Sequence, residues 1–184
     1  MTSLHGALAL LAELGTLLIF ANLDNRYLWD DEAETALLAK SVLRAGVPMA
    51  WDGRDLISQE CGSDYDANYL WRQTPWLQVY LTALSFRLFG ADTLTARLPF
   101  AVFGVRSIVS LYVLTLSLFE DRTLALLSAA LLALSVPFLL HVRQDRYYAV
   151  AVFASIWVLY FYFALFRDRL EHVLNRRGRP RCVS

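Results

Sequence analysis

Residues 98–119, LPFAVFGVRSIVSLYVLTLSLF, form an apolar run that contains a single charged residue, Arg106. As a helix this run is about 33 Å long, close to the thickness of the hydrocarbon core of a bilayer. Further apolar runs of similar length lie at residues 4–23, 124–140 and 147–166. The sequence therefore predicts an all-α integral membrane protein with about four transmembrane helices.

The composition of the whole chain agrees with lipid as the surrounding medium. Of the 184 residues, 57% are apolar, 14% are aromatic and only 18% are charged. Seventeen basic residues balance seventeen acidic ones, which is not the basic excess of a nucleic-acid-binding protein, so we expect membrane lipid and no nucleic acid as a partner. The two cysteines, Cys61 and Cys182, have no metal-ligand spacing, and we expect them on opposite sides of the membrane without a disulfide.

The distribution of charge predicts the topology. Six arginines lie in the tail 167–184, which should therefore stay cytoplasmic. The apolar segment 75–90 is short and contains Gln78 and Arg87, which favours a helix that lies in the membrane interface. Four spans then place both termini in the cytoplasm and put residues 24–74 and the turn 141–146 together on the outer face, and we expect the plasma membrane as the location. The predicted segments are a first transmembrane helix at 1–23, retained as an anchor, an extracytoplasmic segment at 24–97, three transmembrane helices within 98–166, and the basic tail.

The extracytoplasmic segment contains one amphipathic helix, which we predict over residues 32–45. Asp31 is placed to cap this helix, Glu34 lies three residues later as in a capping box, and Gly46 with Pro48 ends it. Residues 49–68, with Gly53, Gly62 and scattered polar residues, are predicted to form a loop. The apolar stripe of the helix consists of Leu37, Leu38, Ser41, Val42 and Ala45.

Three consecutive carboxylates, Asp30, Asp31 and Glu32, lie just beyond the outer end of the first span. Clustered like charges raise the pKa of some members, which suits a general base. Acidic residues are also favoured in the first turn of any helix, where they cap it and interact with its dipole. Both interpretations remain open from spacing alone.

A second polar cluster follows the third apolar run. It contains Arg143 and Arg146, with Asp145 between them and Tyr147 behind. The arginine fork matches phosphate oxygens, so a lipid-phosphate headgroup is one expected partner. Anchoring of a helix at the interface is the alternative interpretation, and the same two interpretations apply to Arg72.

Two charged residues lie near the middle of their predicted spans. Glu13 and Arg106 are each expensive within a bilayer, and we hypothesise that they form an ion pair across the first two spans. The alternative is that Arg106 snorkels or faces another helix. The three histidines, His5, His141 and His172, lie far apart in this topology, so the spacing indicates no metal site, and a divalent-metal requirement stays open.

The order of these pieces resembles a known superfamily. Residues 74–104, TPWLQVYLTALSFRLFGADTLTARLPFAVFG, and residues 135–153, SVPFLLHVRQDRYYAVAVF, are similar to the amino-terminal part of the C-type membrane glycosyltransferases. This superfamily includes the protein O-mannosyltransferases and the aminoarabinose transferase of lipid A. The resemblance extends over nearly all of residues 24–166.

The resemblance implies both a reaction and its residues. It implies transfer of a sugar from a polyprenyl-phosphate donor to an extracytoplasmic acceptor with inversion. The catalytic acid of the superfamily corresponds to Asp31 with Glu32 as its neighbour, and Asp145 is a candidate second acid. For substrate binding, the resemblance and the local chemistry together nominate Arg72, Arg143, Arg146 and Tyr147.

Two departures from the superfamily pattern bear on function. Many relatives have Lys-Pro-Pro where this chain has Gln73-Thr74-Pro75, and Arg72 is the nearest positive charge. Four spans are also few for such an enzyme, so we expect a fragment or an early-terminated chain that is inactive alone. The alternative function is a non-catalytic membrane subunit or lipid-phosphate-binding protein of the same fold that depends on a second membrane chain.

Overall fold

The computed structural model describes residues 2–51 and 53–177. The predictions for Cys182 and for the end of the tail, residues 178–184, lie outside these ranges, and the side chains of His5 and His172 are not among those described. Within the described residues the chain is helical, with three isolated β-bridges and no strand. Seven helices follow one another there: α1 (Thr2–Phe20), α2 (Asp30–Ala45), α3 (Trp76–Phe89), α4 (Thr93–Phe119), α5 (Arg122–Ala133), α6 (Val136–Val142) and α7 (Tyr148–Arg177).

Fewer helices than the four predicted are long enough to span a membrane. Helix α4 and the Tyr148–Phe166 part of α7 are each long and apolar enough to cross a bilayer. The pair α5 and α6 qualifies only if its two members, bent by 63°, count as one span, and the apolar Gly6–Phe20 part of α1 is shorter. By length and composition, the described residues thus provide two or three spans, and four are not confirmed.

The bend between α5 and α6 corrects the prediction of one continuous helix over 124–140. Pro137 has no amide hydrogen and cannot donate to the carbonyl of Ala133, so the helix of α5 cannot continue through this point. Ser135 caps the new helix α6. The consequence for the site is that the turn after α6 is directed back toward the start of α2.

Helix α4 begins at Thr93, five residues before the predicted start at residue 98. Asp92 caps it, because its carboxylate accepts a hydrogen bond from the Thr95 amide at 2.8 Å. Pro99 lies inside the helix and leaves the carbonyl of Thr95 without its usual donor, and the Ser85 hydroxyl of α3 donates to that carbonyl at 2.6 Å. This bond ties α3, which the sequence predicted as a helix over 75–90, to α4.

Helix α2 also begins earlier than predicted. Its N-cap is Trp29 rather than Asp31, and the Trp29 amide donates to the carboxylate of Glu32 at 3.4 Å. Glu32 therefore takes the capping position that the sequence assigned to Glu34. Gly46 ends the helix as predicted, in the left-handed conformation with φ of 80°.

The face of α2 that packs inward is rotated from the predicted stripe. Leu37 is exposed, whereas Leu38 and Ala39 are buried against Trp71 and residues of α3. The loop after α2 is fixed by Asp64, whose Oδ2 accepts hydrogen bonds from the Ser58 hydroxyl and from two backbone amides at 2.6–3.0 Å. Although burial opposes it, this set of donors lowers the pKa of Asp64. Residues 24–97 thus have a small core of their own.

A second core joins α1, α4 and α6, and it shows why the predicted Glu13–Arg106 ion pair does not form. Gly15 of α1 faces Ile108 of α4, since a Cβ on Gly15 would lie 2.6 Å from Ile108 Cδ1. Glu13 and Arg106 each precede these contact residues by two positions, which places them on the opposite sides of their helices. Both side chains are exposed, and the guanidinium of Arg106 lies 6.0 Å from the centre of the Phe103 ring.

Candidate functional site

A buried ion pair holds the start of α2 against the start of α4. Arg97 donates from Nε to Glu32 Oε1 at 2.9 Å and from Nη2 to Glu32 Oε2 at 2.6 Å. Glu32 is fully buried and Arg97 is 8% exposed. The second terminal nitrogen of Arg97 donates to the carbonyls of Leu23 and Arg26, so the same side chain also holds the end of the α1–α2 connection. This pair fixes the position of the neighbouring Asp31.

Arg97 was not predicted as a site residue. The apolar run begins at residue 98, so the predicted helix did not include Arg97, which was noted only as part of the family-like stretch 74–104. The spacing of Asp92 and Thr95, a capping pair before the apolar run, is the signal that could have revealed the earlier start. With the helix beginning at Thr93, Arg97 lies in its second turn and reaches α2.

The turn between α6 and α7 docks onto the same carboxylate. The backbone amide of Asp145 donates to Glu32 Oε1 at 2.8 Å, and the Thr82 hydroxyl donates to Asp145 Oδ1 at 2.7 Å. Asp145 is fully buried, and its Oδ2 has no hydrogen-bond partner among the described residues. Burial raises the pKa of Asp145 well above its ordinary value, only partly offset by the Thr82 hydrogen bond, and the negative charge of Glu32 adds to the rise.

Gln78 connects three parts of the site. Its Nε2 donates to the Thr35 hydroxyl of α2 at 3.0 Å, and its Oε1 accepts from the Tyr147 amide at 2.9 Å. Gln78 itself is buried on α3. This polar residue of α3 therefore joins α2, α3 and the turn before α7.

The predicted meeting of the acidic cluster with the arginine turn is observed at Asp31 and Arg146. The Oδ2 atom of Asp31 lies 2.7 Å from Nη1 of Arg146, and the two side chains are 27% and 13% exposed. The guanidinium carbon of Arg146 is also within 6 Å of the ring centres of Tyr147 and Tyr148, at 5.8 and 5.9 Å. The Nε of Arg146 is buried without a hydrogen-bond partner among the described residues.

Asp31 and Arg146 open onto a polar pocket of about 410 Å³. Glu34, one helical turn after Asp31, lies in this pocket with 4% of its surface exposed. Burial raises the pKa of Glu34 to about 7, the Arg146 charge opposes the rise, and nearby acids, first Asp31, add to it. The pocket is lined by Asp31, Glu34, Gln59, Glu60, Gln73, Thr74, Pro75, Arg146 and Tyr147.

Several predicted site residues lie elsewhere. Arg143 donates to the carbonyl of Leu18 in the last turn of α1 and to those of Ala21 and Asn22 just after it, and this is the geometry of a helix anchor. Arg72 is largely exposed and pairs with Asp66 at 3.1 Å. Neither arginine lines the pocket that holds Asp31.

The described residues contain no group of three or more histidine, cysteine, aspartate or glutamate side chains arranged to hold a metal ion. The carboxylates of the site are instead separated by arginine, since Asp31 faces Arg146 and Glu32 faces Arg97. The arrangement provides partly exposed acid and guanidinium groups on one pocket wall, backed by a fully bonded buried pair.

Comparison with protein families identifies the chain. The sequence profile of the dolichyl-phosphate-mannose-protein mannosyltransferase family matches residues 73–174, more than half of the sequence. The chain belongs to this family. Comparison with curated proteins and with solved structures gave no match.

Membership in the mannosyltransferase family has a general functional meaning. It supports a membrane glycosyltransferase that uses a sugar donor linked to a membrane lipid. The matched residues extend from just before α3 into α7 and therefore include Arg97, Asp145, Arg146 and Tyr147. Asp31, Glu32 and Glu34 precede the match, so the roles of these three rest on geometry and on the resemblance described above.

Proposed function

We propose that the chain is a membrane glycosyltransferase, or the amino-terminal part of one, that transfers a sugar from a polyprenyl-phosphate donor to an acceptor on the extracytoplasmic side. In this proposal Arg146 binds the donor phosphate and Asp31 takes the proton of the acceptor hydroxyl. The observation that carries the proposal is the 2.7 Å contact between Asp31 and Arg146 at a polar pocket. This contact supports the proposal, because a carboxylate and a guanidinium so close together could both reach one substrate.

The guanidinium of Arg146 has bonding capacity left for a phosphate. Its Nη1 contacts Asp31, whereas its Nε is buried without a partner among the described residues. A guanidinium has five N–H donors in a fork that matches two phosphate oxygens. A bound phosphodiester would use this free capacity, and its negative charge would compete with Asp31 for the cation.

That competition gives a reaction sequence in which atoms and charges balance. Binding of the phosphate to Arg146 releases Asp31 as a free carboxylate. The acceptor oxygen then bonds to the anomeric carbon of the sugar, and the bond from that carbon to the phosphate oxygen breaks on the opposite face, with inversion. The acceptor proton passes to Asp31, and the polyprenyl phosphate leaves as a monoester with two negative charges, one of which Arg146 balances.

Glu32 and Asp145 have a positioning role in this proposal. Both are fully buried, and the two oxygens of Glu32 are occupied by Arg97 and by the Asp145 amide. These bonds hold the first turn of α2 beside the turn that carries Arg146. Tyr147 lines the pocket next to Arg146, and we assign it to the sugar or phosphate side of the donor.

The proposed orientation places the pocket outside the cytoplasm of a cell whose plasma membrane holds the protein, with both termini inside. Cys61 reports on this orientation, because it is exposed and follows Glu60 of the pocket wall. A membrane-impermeant maleimide should label Cys61 in intact cells that express the Cys182→Ser variant. The Cys61→Ser variant should be labelled at Cys182 only after permeabilisation. The reverse pattern would contradict the proposed site, because the donor sugar would face the wrong compartment.

Donor binding tests the proposed role of Arg146. In the Arg146→Gln variant we expect the affinity for dolichyl phosphate in detergent to fall about 10- to 100-fold, since a charge-assisted hydrogen-bond partner of the phosphate is lost. The Arg146→Lys variant should be intermediate, because it keeps the charge and loses the fork. Titration with a fluorescent dolichyl phosphate measures both.

The matched control for this experiment is Arg87→Gln, the same substitution at an exposed arginine near the end of α3. Its affinity for dolichyl phosphate should equal that of the wild type. Equal losses in Arg87→Gln and Arg146→Gln would indicate a nonspecific charge effect and would contradict a phosphate site at Arg146.

A further inference from the structure

Glu34 is a buried acid whose side chain the protein itself leaves incomplete. Only 4% of its surface is exposed, and Oε1 is buried with no hydrogen-bond partner among the described residues. An unsatisfied buried acceptor is expensive and therefore requires an explanation. Glu34 lines the same pocket as Asp31 and Arg146, so a ligand in that pocket is a donor within its reach.

The rest of the pocket wall indicates what kind of ligand would donate the missing hydrogen bond to Glu34 Oε1. Gln59, Gln73 and Thr74 provide amide and hydroxyl groups, and Tyr147 provides a ring. Amides and carboxylates on one wall can exchange several hydrogen bonds with neighbouring hydroxyl groups. A ligand rich in hydroxyl groups, such as a sugar, matches this lining better than a lipid chain does.

We propose that Glu34 binds the sugar of the lipid-linked donor, by accepting a hydrogen bond from a sugar hydroxyl at its unpartnered Oε1. This inference rests on the proposed function and adds a division of labour within one pocket. Arg146 recognises the phosphate, which all donors of this class share, and Glu34 recognises the sugar that distinguishes one donor from another. Asp31, one helical turn before Glu34 and in contact with Arg146, lies between the two.

The charge of Glu34 adds a pH dependence to sugar binding. The charged groups that act on Glu34 are Arg146 from the turn before α7, Asp31 and Asp30 from α2, and Asp64 from the loop, and Glu60 lines the same pocket. Burial raises the pKa of Glu34 to about 7, and the carboxylate is the stronger acceptor. Sugar binding should therefore strengthen as the pH rises through about 7.

The experiment compares lipids with and without the sugar. The probes are dolichyl phosphate, dolichyl-phosphate mannose and dolichyl-phosphate glucose, titrated into the full chain in detergent at pH 8. For Glu34→Gln we expect an affinity about 10-fold lower for the sugar-bearing donor that the wild type prefers, and no change for bare dolichyl phosphate. The Arg146→Gln variant should lose affinity for all three lipids, because they share the phosphate.

The pH profile provides a readout that altered packing would not produce. Between pH 5.5 and 8.5, roughly the range that brackets the Glu34 pKa, the affinity of the wild type for the preferred sugar-bearing donor should rise, and that of Glu34→Gln should stay flat. The phosphodiester of this donor keeps one negative charge throughout this range, whereas a phosphate monoester gains its second charge near pH 6. The rise in affinity with pH must therefore come from the protein. Asp145, whose pKa is also raised, is present in both proteins, so a rise in affinity caused by its titration would persist in Glu34→Gln.

The outcomes separate this inference from the proposed function. One outcome is that the wild type binds bare dolichyl phosphate, while Glu34→Gln keeps full affinity for sugar-bearing donors and the rise of that affinity with pH. The role of Glu34 would then be overturned, and the phosphate site would stand. If the wild type binds none of the three lipids, both fall together. The Asp30→Asn variant is the matched control, since it removes an exposed carboxylate from the same helix end outside the pocket, and its affinities at pH 8, above the pKa of Glu34, should equal those of the wild type.

Discussion

Replacing Asp31 with asparagine is expected to lower sugar transfer roughly 100- to 10,000-fold, the range that a general base contributes. Asparagine has the shape of aspartate and can still accept a hydrogen bond from Arg146, but it cannot take up the acceptor proton. The substitution removes the counter-charge of Arg146 but keeps an amide oxygen that accepts from its guanidinium at a partly exposed position, so the protein should fold normally. Transfer from dolichyl-phosphate sugars is to be measured in membranes that contain the full-length or complemented enzyme.

The comparison that isolates the chemistry is Asp30→Asn, which makes the same substitution one residue earlier at an exposed position outside the pocket. Transfer by this variant should remain within about twofold of the wild type, as expected of surface substitutions. Donor binding by Asp31→Asn should also remain, because Arg146 is freed rather than removed. Undiminished transfer by Asp31→Asn would contradict the proposal, because it would remove Asp31 from any catalytic role.

The parts of the fold that could be predicted are those encoded by local pattern. Apolar runs located α1, α4 and α7, and Gly46 marked the end of α2, because these signals depend only on neighbouring residues. The break after Leu134 was missed although Ser135 and Pro137 form a helix-start signal, since the apolar run continues through them and masks it. Hydrophobic length alone does not distinguish one helix from two that meet at an angle.

Within the site, an error of two residues changed the roles of two acids. With the helix cap placed at Asp31, the capping partner three residues later was Glu34. With the observed cap at Trp29, that partner is Glu32, and Glu34 is left free to face the pocket. The sequence did predict that Asp31 and Arg146 share one face, because both follow from the order of the apolar runs.

The bonds that fix these residues could not be predicted from spacing. Glu32 is bonded to Arg97 and to the Asp145 amide, which are 65 and 113 residues away in sequence. No local rule relates such distant positions, and each of these residues taken alone is also explained as a cap, a flanking charge or an anchor. Only the packed arrangement of α2, α4 and the turn before α7 distinguishes a positioning network from these ordinary roles.

The second large effect is expected for that network. In Arg97→Gln the carboxylate of Glu32 remains buried without its cation, and breaking a buried ion pair in this way costs about 3–5 kcal/mol. We therefore expect a strong decrease in folded protein, measured as the fraction that remains monodisperse in detergent and as the midpoint of thermal unfolding. Arg97→Lys should recover only part of the loss, because lysine cannot donate to both oxygens of Glu32 in the observed geometry.

The matched control is Arg87→Gln, an identical substitution at an exposed arginine near the end of α3, which should change stability by less than about 0.5 kcal/mol. Comparison with Asp31→Asn then distinguishes a structural role from a catalytic one. Arg97→Gln should reduce transfer in proportion to the folded protein that remains, whereas Asp31→Asn should reduce transfer per folded molecule. If Arg97→Gln were as stable as Arg87→Gln, the buried pair would not be what holds α2 against α4, and the position of Asp31 would need another cause.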